Sequence, residues 1–495
     1  HSSWLTMMLD RMSLARAFLT KEGALFQTID DNEYHRLKEL SDYVFGTTNF
    51  IATVVWQKRY VSNNTAKFIS DMHDYVLVHA NDLLSFRVHL QPRTEEQLKA
   101  YRNPDNDPRG VWRPQDLSAS KPYSAGRFEI VTPTGMRVSP PPGRYWRCSE
   151  QEYKRLLADN RITFGLSGEG RPMLKAFLSE AQEGIVPNTW WTRDEAGDNK
   201  GAKLHLKSLF YPEPPFATPK PKQLIEKCLQ LTASRLCLDF FAGSGTTAEA
   251  VISLSRADGL SRKYIVIESG NYFNTVLKPR IQKVIYSKDW RDGKPVSSEG
   301  SSHLFKYMSL ESYEDSLNNI ALNRSEEQGS LLEAHEEFRE DYTLRYMLDV
   351  EARGSAGLLN VENFADPFNY QLNVATGASA GETRPVAVDL VETFNYLLGL
   401  RVRHVDMVQG FRVVKGANPE GEKVLVIWRN MREKSSDDLD EFFRQQGYNM
   451  RDGEFDIIYT NGDNNLENLR RQDETWKVRL IEEAFLRLMF DVQDV

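Results

Sequence analysis

The chain has 495 residues, too many for one ordinary hydrophobic core, which predicts two to four domains. Hydrophobic residues make up 40% of it and charged residues 27%, as in globular proteins, and no unbroken apolar run is long enough to span a bilayer. The net charge of -8 argues against a protein that coats nucleic acid by bulk attraction, although a local basic face is compatible with it. The three cysteines form no Cys-x-x-Cys pair, so the sequence predicts neither a disulfide framework nor a metal site and favours a reducing, cytoplasmic setting.

Residues 1–83 are predicted to fold as helix, strand, helix, strand and strand, with the strands at ALFQTI, FIATVVW and DYVLVHA. Asp30 follows the first strand, and Asp30 with Glu33 has the spacing of a capping box at the start of the next helix. Lys58 and Arg59 follow the second strand and lead into a polar loop. This loop is either a segment that closes over a nucleic acid or a solvated hairpin.

Residues 84–207 break into short pieces rich in Pro, Gly, Arg and Trp, which predict turns, exposed loops and an inserted recognition region. Towards the end of this region aromatic and cationic side chains are interleaved, as base stacking and phosphate contacts require. These candidate nucleic-acid contacts are Trp190, Trp191, Arg193, Lys200 and Lys203. The alternative is an exposed packing patch that carries the tryptophans.

Regular order returns in residues 208–290, where a strand LCLDFF, a glycine turn, a helix TTAEAVISLSR and a strand KYIVIES predict one unit of a doubly wound α/β sheet. Glycine lets a ligand approach the backbone, and the amino terminus of the helix offers free N–H donors. Glu268, roughly 20 residues further on, stands where an acidic side chain accepts hydrogen bonds from a ribose. The sequence therefore predicts a nucleoside site at Asp239, Phe241, Ala242, Gly243, Ser244, Gly245, Thr246, Thr247 and Glu268. A turn needed only for packing is the alternative.

Residues 303–495 alternate apolar helices, such as DLVETFNYLLGL, with apolar strands, such as KVLVIWR, and are predicted to form a carboxyl-terminal α/β domain. Trp428 and Trp476 lie in apolar segments and are expected in a core. This region contains no glycine-rich phosphate loop and no recognisable nucleophile and base pair. We therefore expect it to make protein contacts rather than carry out chemistry, with independent folding alone as the alternative.

Two segments resemble a known family. LDFFAGSGTT is similar to the cofactor-binding motif of DNA methyltransferases that modify amino groups, and the segment Phe216-Ala217-Thr218-Pro219-Lys220-Pro221 resembles the one that closes over the methionine end of the cofactor. The order of the segments matches the permuted, β-class enzymes, and most closely the modification subunit of type III restriction-modification systems. This resemblance implies a Rossmann-like S-adenosylmethionine-dependent methyltransferase sheet. Residues 1–83 would be its catalytic half, 84–207 its target recognition region and 208–290 its cofactor half.

The resemblance further implies S-adenosyl-L-methionine as cofactor and methylation of the N6 amine of adenine in double-stranded DNA. It implies a homodimer and a restriction subunit, a nuclease-translocase, as partners. An N4-cytosine methyltransferase, or a noncatalytic subunit for DNA recognition and assembly, are the alternatives. Phe216, Thr218, Pro219 and Lys220 would join the cofactor site.

The catalytic motif of the family, Asp/Asn/Ser-Pro-Pro-Tyr/Phe/Trp, binds the target amine and stacks on the flipped base. It is absent from this sequence, since Ser139-Pro140-Pro141-Pro142 lacks the aromatic residue and Glu213-Pro214-Pro215-Phe216 has the wrong first residue. The family places the motif ahead of a helix like SSWLTMMLDR, so truncation just upstream of His1 is expected, and the chain is expected to be inactive alone. The catalytic residues are therefore unknown, with Asp30 as a candidate for support beside the active site.

Overall fold

The computed structural model describes residues 2–62, 66–334, 336–352, 354–358, 360–375, 382–470 and 476–490. The chain separates into two compact units, residues 1–304 and 305–495, with a boundary next to the domain start predicted at residue 303. Both units combine helices with sheets, which confirms the predicted α/β class. Among the described residues, no helix has the length and apolar composition needed to cross a membrane.

The helices and strands of the first unit are, in chain order, α1 (Ser2–Phe18), β1 (Ala24–Ile29), α2 (Tyr34–Phe45), β2 (Phe50–Gln57), β3 (His73–Ala80), α3 (Glu95–Lys99), β4 (Trp112–Asp116), β5 (Ser118–Ala119), β6 (Ile130–Val131), β7 (Arg137–Val138), β8 (Tyr145–Trp146), α4 (Glu150–Ala158), β9 (Ile162–Thr163), β10 (Met173–Phe177), β11 (Trp190–Trp191), α5 (Arg193–Ala196), α6 (Asn199–Leu209), α7 (Lys222–Thr232), β12 (Leu236–Asp239), α8 (Thr246–Asp258), β13 (Lys263–Val266), α9 (Lys278–Tyr286), β14 (Trp290–Arg291) and β15 (Lys294–Pro295).

The first sheet has the strand order β1-β3-β2-β11, and both of its faces are covered. β3 runs antiparallel to β1 and β2, whereas β11 runs parallel to β2. Along β3, Leu77 packs with residues of α1 and α2, while its neighbours Val76 and Val78 pack with Leu224 of α7 on the other face. Successive side chains of a strand point to opposite faces, so a strand that is covered on both sides reads as a continuous apolar run. The three predicted strands of this segment are confirmed.

The inserted region has a hydrophobic core of its own. Its main sheet has the order β4-β10-β9, and Leu117, Ile130, Trp146, Tyr153 and Phe164 are buried together. The prediction of turns and exposed loops is therefore wrong for these residues. Most strands here have only two residues, which is too short for a periodic pattern to show in the sequence.

The glycine turn lies in the predicted strand-turn-helix-strand unit. β12 and β13 are parallel, and α8 connects them along the chain. α8 packs on α7 through Leu229, Val251 and Leu254. β12 ends at Asp239 and β13 at Val266, so Glu268 lies just beyond its strand rather than within it.

The second unit contains α10 (Tyr313–Asn318), α11 (Glu326–Ala334), α12 (Glu336–Arg345), α13 (Met347–Glu351), β16 (Gln371–Ala375), β17 (Thr383–Ala387), α14 (Leu390–Leu397), β18 (Arg401–Val408), β19 (Phe411–Ala417), β20 (Lys423–Arg429), α15 (Ser436–Gln445), β21 (Ile457–Thr460), β22 (Val478–Leu480) and α16 (Ile481–Phe490).

The main sheet of the second unit has the order β18-β19-β20-β21-β22 and a hydrophobic core on each face. β18, β19 and β20 are antiparallel, whereas β20, β21 and β22 are parallel. Trp428 is completely buried in β20, as predicted. The same prediction is wrong for Trp476, which is 48% exposed. Trp476 precedes β22, and the guanidinium of Arg470 lies 5.1 Å from its ring centroid.

Candidate cofactor site

The turn between β12 and α8 contains two glycines, and one of them has room for a further atom beside its backbone. Gly243 and Gly245 have φ angles of +53° and +82°, a backbone region that favours glycine. A Cβ on Gly245 would lie 3.2 Å from Leu277 Cγ, so packing alone demands glycine there. A Cβ on Gly243 would meet nothing closer than Phe216 Cζ at 3.6 Å. Gly243 is therefore the position where a ligand can approach the backbone.

Glu268 fastens the glycine turn to the segment that follows β13. Its Oε2 accepts a hydrogen bond from the Gly243 amide, and its Oε1 accepts one from the Gly270 amide, both at 2.8 Å. The two carboxylate oxygens have one further lone pair each, and because Tyr272 also hydrogen-bonds to Glu268, one of these stays available to a hydroxyl group of a ligand. Burial and a hydrogen bond to Glu268 raise the pKa of Tyr272, whose ring lies 5.0 Å from that of Phe216. The structure thus brings Phe216, Gly243 and Glu268 together with Tyr272, which the sequence analysis missed.

Asp239 holds the start of α8. Its Oδ2 accepts from the Thr247 hydroxyl at 2.5 Å and its Oδ1 from the Phe241 amide at 3.1 Å. Burial raises the pKa of Asp239, and the neighbouring charge of Glu268 acts in the same direction. The side chain of Asp239 therefore positions the turn, while Phe241 is 52% exposed beside it.

A buried ion pair lies behind the glycine turn. Arg280 of α9 is 1% exposed, and its Nε donates to Glu249 Oε2 at 2.7 Å. The same guanidinium donates to the Ser244 carbonyl and to the hydroxyls of Ser244 and Thr246 at 2.8–3.1 Å. Burial by itself raises the pKa of Glu249, but Arg280 and His205 outweigh it and hold this pKa far below its usual range. Ser244 and Thr246 therefore anchor the turn from behind.

The sequence analysis missed Arg280, Glu249 and His205. Each lies in a helix whose pattern is compatible with a solvated charge, and no local signal pairs residues of α6, α8 and α9. The one local sign was Glu249, which lies in the first turn of α8. The amino terminus of a helix favours negative charge, so an acid there can have a structural role.

The segment 216–221 connects the glycine turn to the first sheet. The Thr246 hydroxyl donates to the Lys220 carbonyl at 3.1 Å, and the Lys220 amine donates to Asp74 Oδ2 of β3 at the same distance. Pro219 is buried and Thr218 is exposed. Phe216 and Lys220 thus lie at the turn as the sequence predicts, with the Lys220 amine bound to the protein itself.

Two predicted nucleic-acid contacts are buried. Lys58 is 7% exposed and its amine forms ion pairs with Asp71 and Asp74, which raise its pKa although burial alone lowers it. Trp191 is completely buried in the core between β2 and α7, because β11 pairs with β2 and turns Trp191 inward and Trp190 outward. Neither Lys58 nor Trp191 is available to DNA, so these two predictions are wrong.

The other predicted contacts are accessible. Trp190 is 55% exposed, and Arg59, Lys200 and Lys203 are exposed. The Arg193 guanidinium lies 4.4 Å from the Tyr60 ring centroid and borders a cavity of about 360 Å³. The charged and titratable residues that line this cavity are Arg193, Asp194, Asp198, His205, Lys220, Lys222 and Arg280.

Asp30 does not form the predicted capping box. The residue that precedes α2 is Glu33, which makes no side-chain cap hydrogen bond. Asp30 is exposed and accepts from the Asn32 amide at 3.1 Å and the Asn32 side chain at 2.9 Å. It thus closes a local turn after β1, a role that Asp favours as it does helix capping.

A protein-family model described as DNA methylase, for N6 and N4 methyltransferases, matches residues 1–278, which is more than half of the chain. The chain belongs to this DNA methylase family. The match confirms the resemblance seen in the LDFFAGSGTT and FATPKP segments and the methyltransferase fold class that it implies.

Individual relatives agree with the family. The Mod subunit of the type III restriction-modification enzyme StyLTI of Salmonella typhimurium is 36% identical over 286 residues, 56% of this chain and 42% of that subunit. The EcoPI Mod subunit of Escherichia phage P1 is 27% identical and covers 62% of this chain and 50% of its own. The type II methyltransferase M.KpnI of Klebsiella pneumoniae is 27% identical over 55% of this chain and 68% of its own. The chain thus spans about half the length of the type III subunits it matches.

Proposed function

We propose that this chain takes part in the methylation of DNA at the N6 amine of adenine, with S-adenosyl-L-methionine as the methyl donor. The observation that supports this most directly is the open backbone at Gly243, with the Glu268 carboxylate bound to its amide and the Phe216 ring beside it. The remaining lone pair of Glu268 suits a ribose hydroxyl of a nucleoside, and the room beside the Gly243 backbone suits close approach of the rest of the ligand. The donor itself would supply a methyl group on a sulfonium.

Calorimetry with two matched glycine variants tests the cofactor site. Gly243 and Gly259 both have positive φ, at +53° and +71°, and a Cβ at either position meets no close neighbour. Gly243→Ala and Gly259→Ala should therefore cost similar backbone strain, but only the first places a methyl group on the ligand side of the turn. We expect Gly243→Ala to weaken S-adenosylmethionine binding by at least about tenfold and Gly259→Ala to leave it unchanged. Equal affinities in both variants would contradict the site.

Target recognition is proposed for the exposed aromatic and basic residues of the inserted region. Trp190 offers a stacking surface, and Lys200 and Lys203 offer positive charge to phosphates. Arg59, which follows β2 outside the inserted region, and Arg193 are further candidates for such contacts. A second copy of the chain and a restriction subunit are the protein partners that we propose, with the bacterial cytoplasm as the location. The names of the type III relatives support the restriction subunit as a partner.

A second candidate function is DNA recognition and assembly without catalysis. The observation that favours it is that no Asp/Asn/Ser-Pro-Pro-Tyr/Phe/Trp motif occurs in the sequence. Incubation of the purified chain with DNA and labelled S-adenosylmethionine tests the second candidate. Transfer of label to adenine would exclude it, whereas binding of cofactor and DNA without transfer is the result expected of both candidates.

A further inference from the structure

β18 is an edge strand that is exposed on both faces. It has eight residues, and among the residues that the structure describes it pairs with β19 only, since it ends the order of its sheet. Residues 401–407 are all exposed, including Val402, Val405 and Met407 at 39%, 45% and 45%. The unpaired N–H and C=O groups of an open edge are a ready template for another strand, and the alternating apolar and charged side chains of β18 restrict which strand fits.

The hairpin geometry fixes which backbone groups face the open edge. β18 and β19 are joined by Gln409 and Gly410, whose φ angles of +53° and +88° are those of a two-residue type I′ turn. Val408 and Phe411 flank this turn and form a hydrogen-bonded pair, after which hydrogen-bonded and open pairs alternate. Residues 404, 406 and 408 therefore direct their N–H and C=O groups to β19, whereas Val405 and Met407 direct theirs outward.

We propose that β18 pairs antiparallel with β18 of a second copy of this chain, around a two-fold axis at Val405. Val405 of each copy then donates its N–H to the carbonyl of Val405 in the other. The two five-stranded sheets become one continuous sheet. This inference specifies the surface of the self-association proposed above and is independent of methyl transfer.

The charges of β18 select this register. A two-fold axis perpendicular to the sheet places residues of equal side-chain direction opposite each other, so His404, Val405, Asp406 or Met407 can lie at the centre. An axis at Met407 would set Asp406 opposite Val408 and Val405 opposite the turn residue Gln409. An axis at His404 would set two histidines opposite each other, and an axis at Asp406 would set two aspartates. An axis at Val405 sets His404 opposite Asp406 of the other copy, twice, and an imidazole N–H that donates to a carboxylate across the strands stabilises such a pair.

One outward backbone N–H group of β18 is already hydrogen-bonded to a side chain of the same strand. The outward Met407 amide donates to its neighbour Asp406 Oδ1 at 3.0 Å, and Asp406 also lies 3.5 Å from His404 within the strand. Both side chains are more than half exposed and free to rotate toward a partner strand. The pairing of β18 with β19 is irregular between Val402 and His404, but residues 404–408 are in regular register. The regular part therefore contains the whole centre of the proposed interface.

Cysteine cross-linking tests the axis, with Met407 as a matched control because its exposure equals that of Val405. Opposed residues of a hydrogen-bonded pair have Cα atoms about 5.5 Å apart, within the range of a disulfide. Two copies of residue 407 would be roughly 14 Å apart, which is too far. We expect Val405→Cys to give a disulfide-linked dimer on mild oxidation, and Met407→Cys and the unaltered full chain to give none. Equal cross-linking of both variants, or none of Val405→Cys, would overturn the proposal.

Sedimentation of the full chain with a charge swap provides a second test. His404→Asp places two aspartate pairs in the interface and should raise the dimer dissociation constant about tenfold. Adding Asp406→His to this variant restores two Asp–His pairs and should restore the affinity. If the single variant keeps its dimer, self-association uses another surface and the register is wrong. If the unaltered chain is monomeric at all concentrations, the proposed homodimer fails as well.

Discussion

Asp74 connects two lysines that the sequence does not link. Its carboxylate binds Lys58 at 2.7 Å and Lys220 at 3.1 Å, and so it joins β2, β3 and the segment that carries Phe216. Two cations and one buried acid satisfy each other here, because an unpaired charge in the interior is costly. This explains why Lys58, which reads as a surface cation at a strand end, is unavailable to DNA.

His79 predicts a pH dependence of stability. It is completely buried, its Nε2 lies 3.1 Å from Asp42 Oδ1, and burial lowers its pKa although Asp42 acts in the opposite direction. The unfolded chain binds a proton near the ordinary histidine pKa of about 6.5, whereas the folded chain binds it only at lower pH. Stability from this group is therefore present above pH 6.5 and is lost as pH falls below it.

The measurement is urea unfolding at pH 7.5 and 5.5. We expect the free energy of unfolding to fall between these values by more in the unaltered chain than in His79→Gln, since glutamine does not titrate and can still donate to Asp42. A drop of equal size in both proteins would assign the pH dependence to other groups.

At the residue scale, spacing in the sequence identified Gly243 and Glu268, and the structure brings them together at 2.8 Å. Spacing predicts this pair because the glycine turn and the acid that follows the next strand belong to one strand-helix-strand unit. The burial of Arg280 and Trp191 could not be predicted from spacing, for the same reason in both cases. Their surroundings depend on elements distant in the chain, and residue type alone does not give burial.

At the scale of elements, the buried ion pair between Arg280 and Glu249 joins α9 to α8. Arg280→Met should leave the Glu249 carboxylate buried beside His205 alone and lower the free energy of unfolding by about 3–5 kcal/mol. Adding Glu249→Gln removes the unpaired charge and should recover part of this loss. Chemical denaturation of the single and double variants measures both effects.

Arg155 offers the control for that series. It forms an exposed pair with Glu152 within α4, and exposed pairs contribute little to stability. We expect Arg155→Met to unfold like the unaltered chain. If the Arg280→Met protein is as stable as the unaltered chain, the buried ion pair does not stabilise the glycine turn.

Strands with long apolar runs could be predicted from the sequence, whereas the two-residue strands could not. β2, β3 and β20 have seven or eight residues each, and their β-branched and aromatic side chains mark them as strands. β5, β6, β7 and β8 have two residues each, and they are stabilised by a tertiary core around Trp146. Tertiary packing of this kind leaves no periodicity in the sequence, which is why the inserted region was interpreted as loops.

At the scale of the whole molecule, the two compact units predict separable properties. All residues of the candidate cofactor site lie in residues 1–304, and β18 lies in residues 305–495. A chain that ends at Leu304 should therefore keep its affinity for S-adenosylmethionine and lose self-association. Calorimetry and sedimentation of this shortened protein check the two expectations. If it still dimerises, the second unit is not the interface, and if it folds but no longer binds the cofactor, the domain assignment is wrong.

Glu268 has a consequence for the thermodynamics of binding. Because its carboxylate holds the amides of Gly243 and Gly270 before any ligand arrives, the glycine turn is already ordered. Fixing one backbone residue costs roughly 1–2 kcal/mol of conformational entropy. The free energy of folding includes this cost, so it does not reduce the affinity for the ligand. A turn prepared in this way should bind with little entropic penalty from the protein, and its association rate should depend on access to the site rather than on rearrangement.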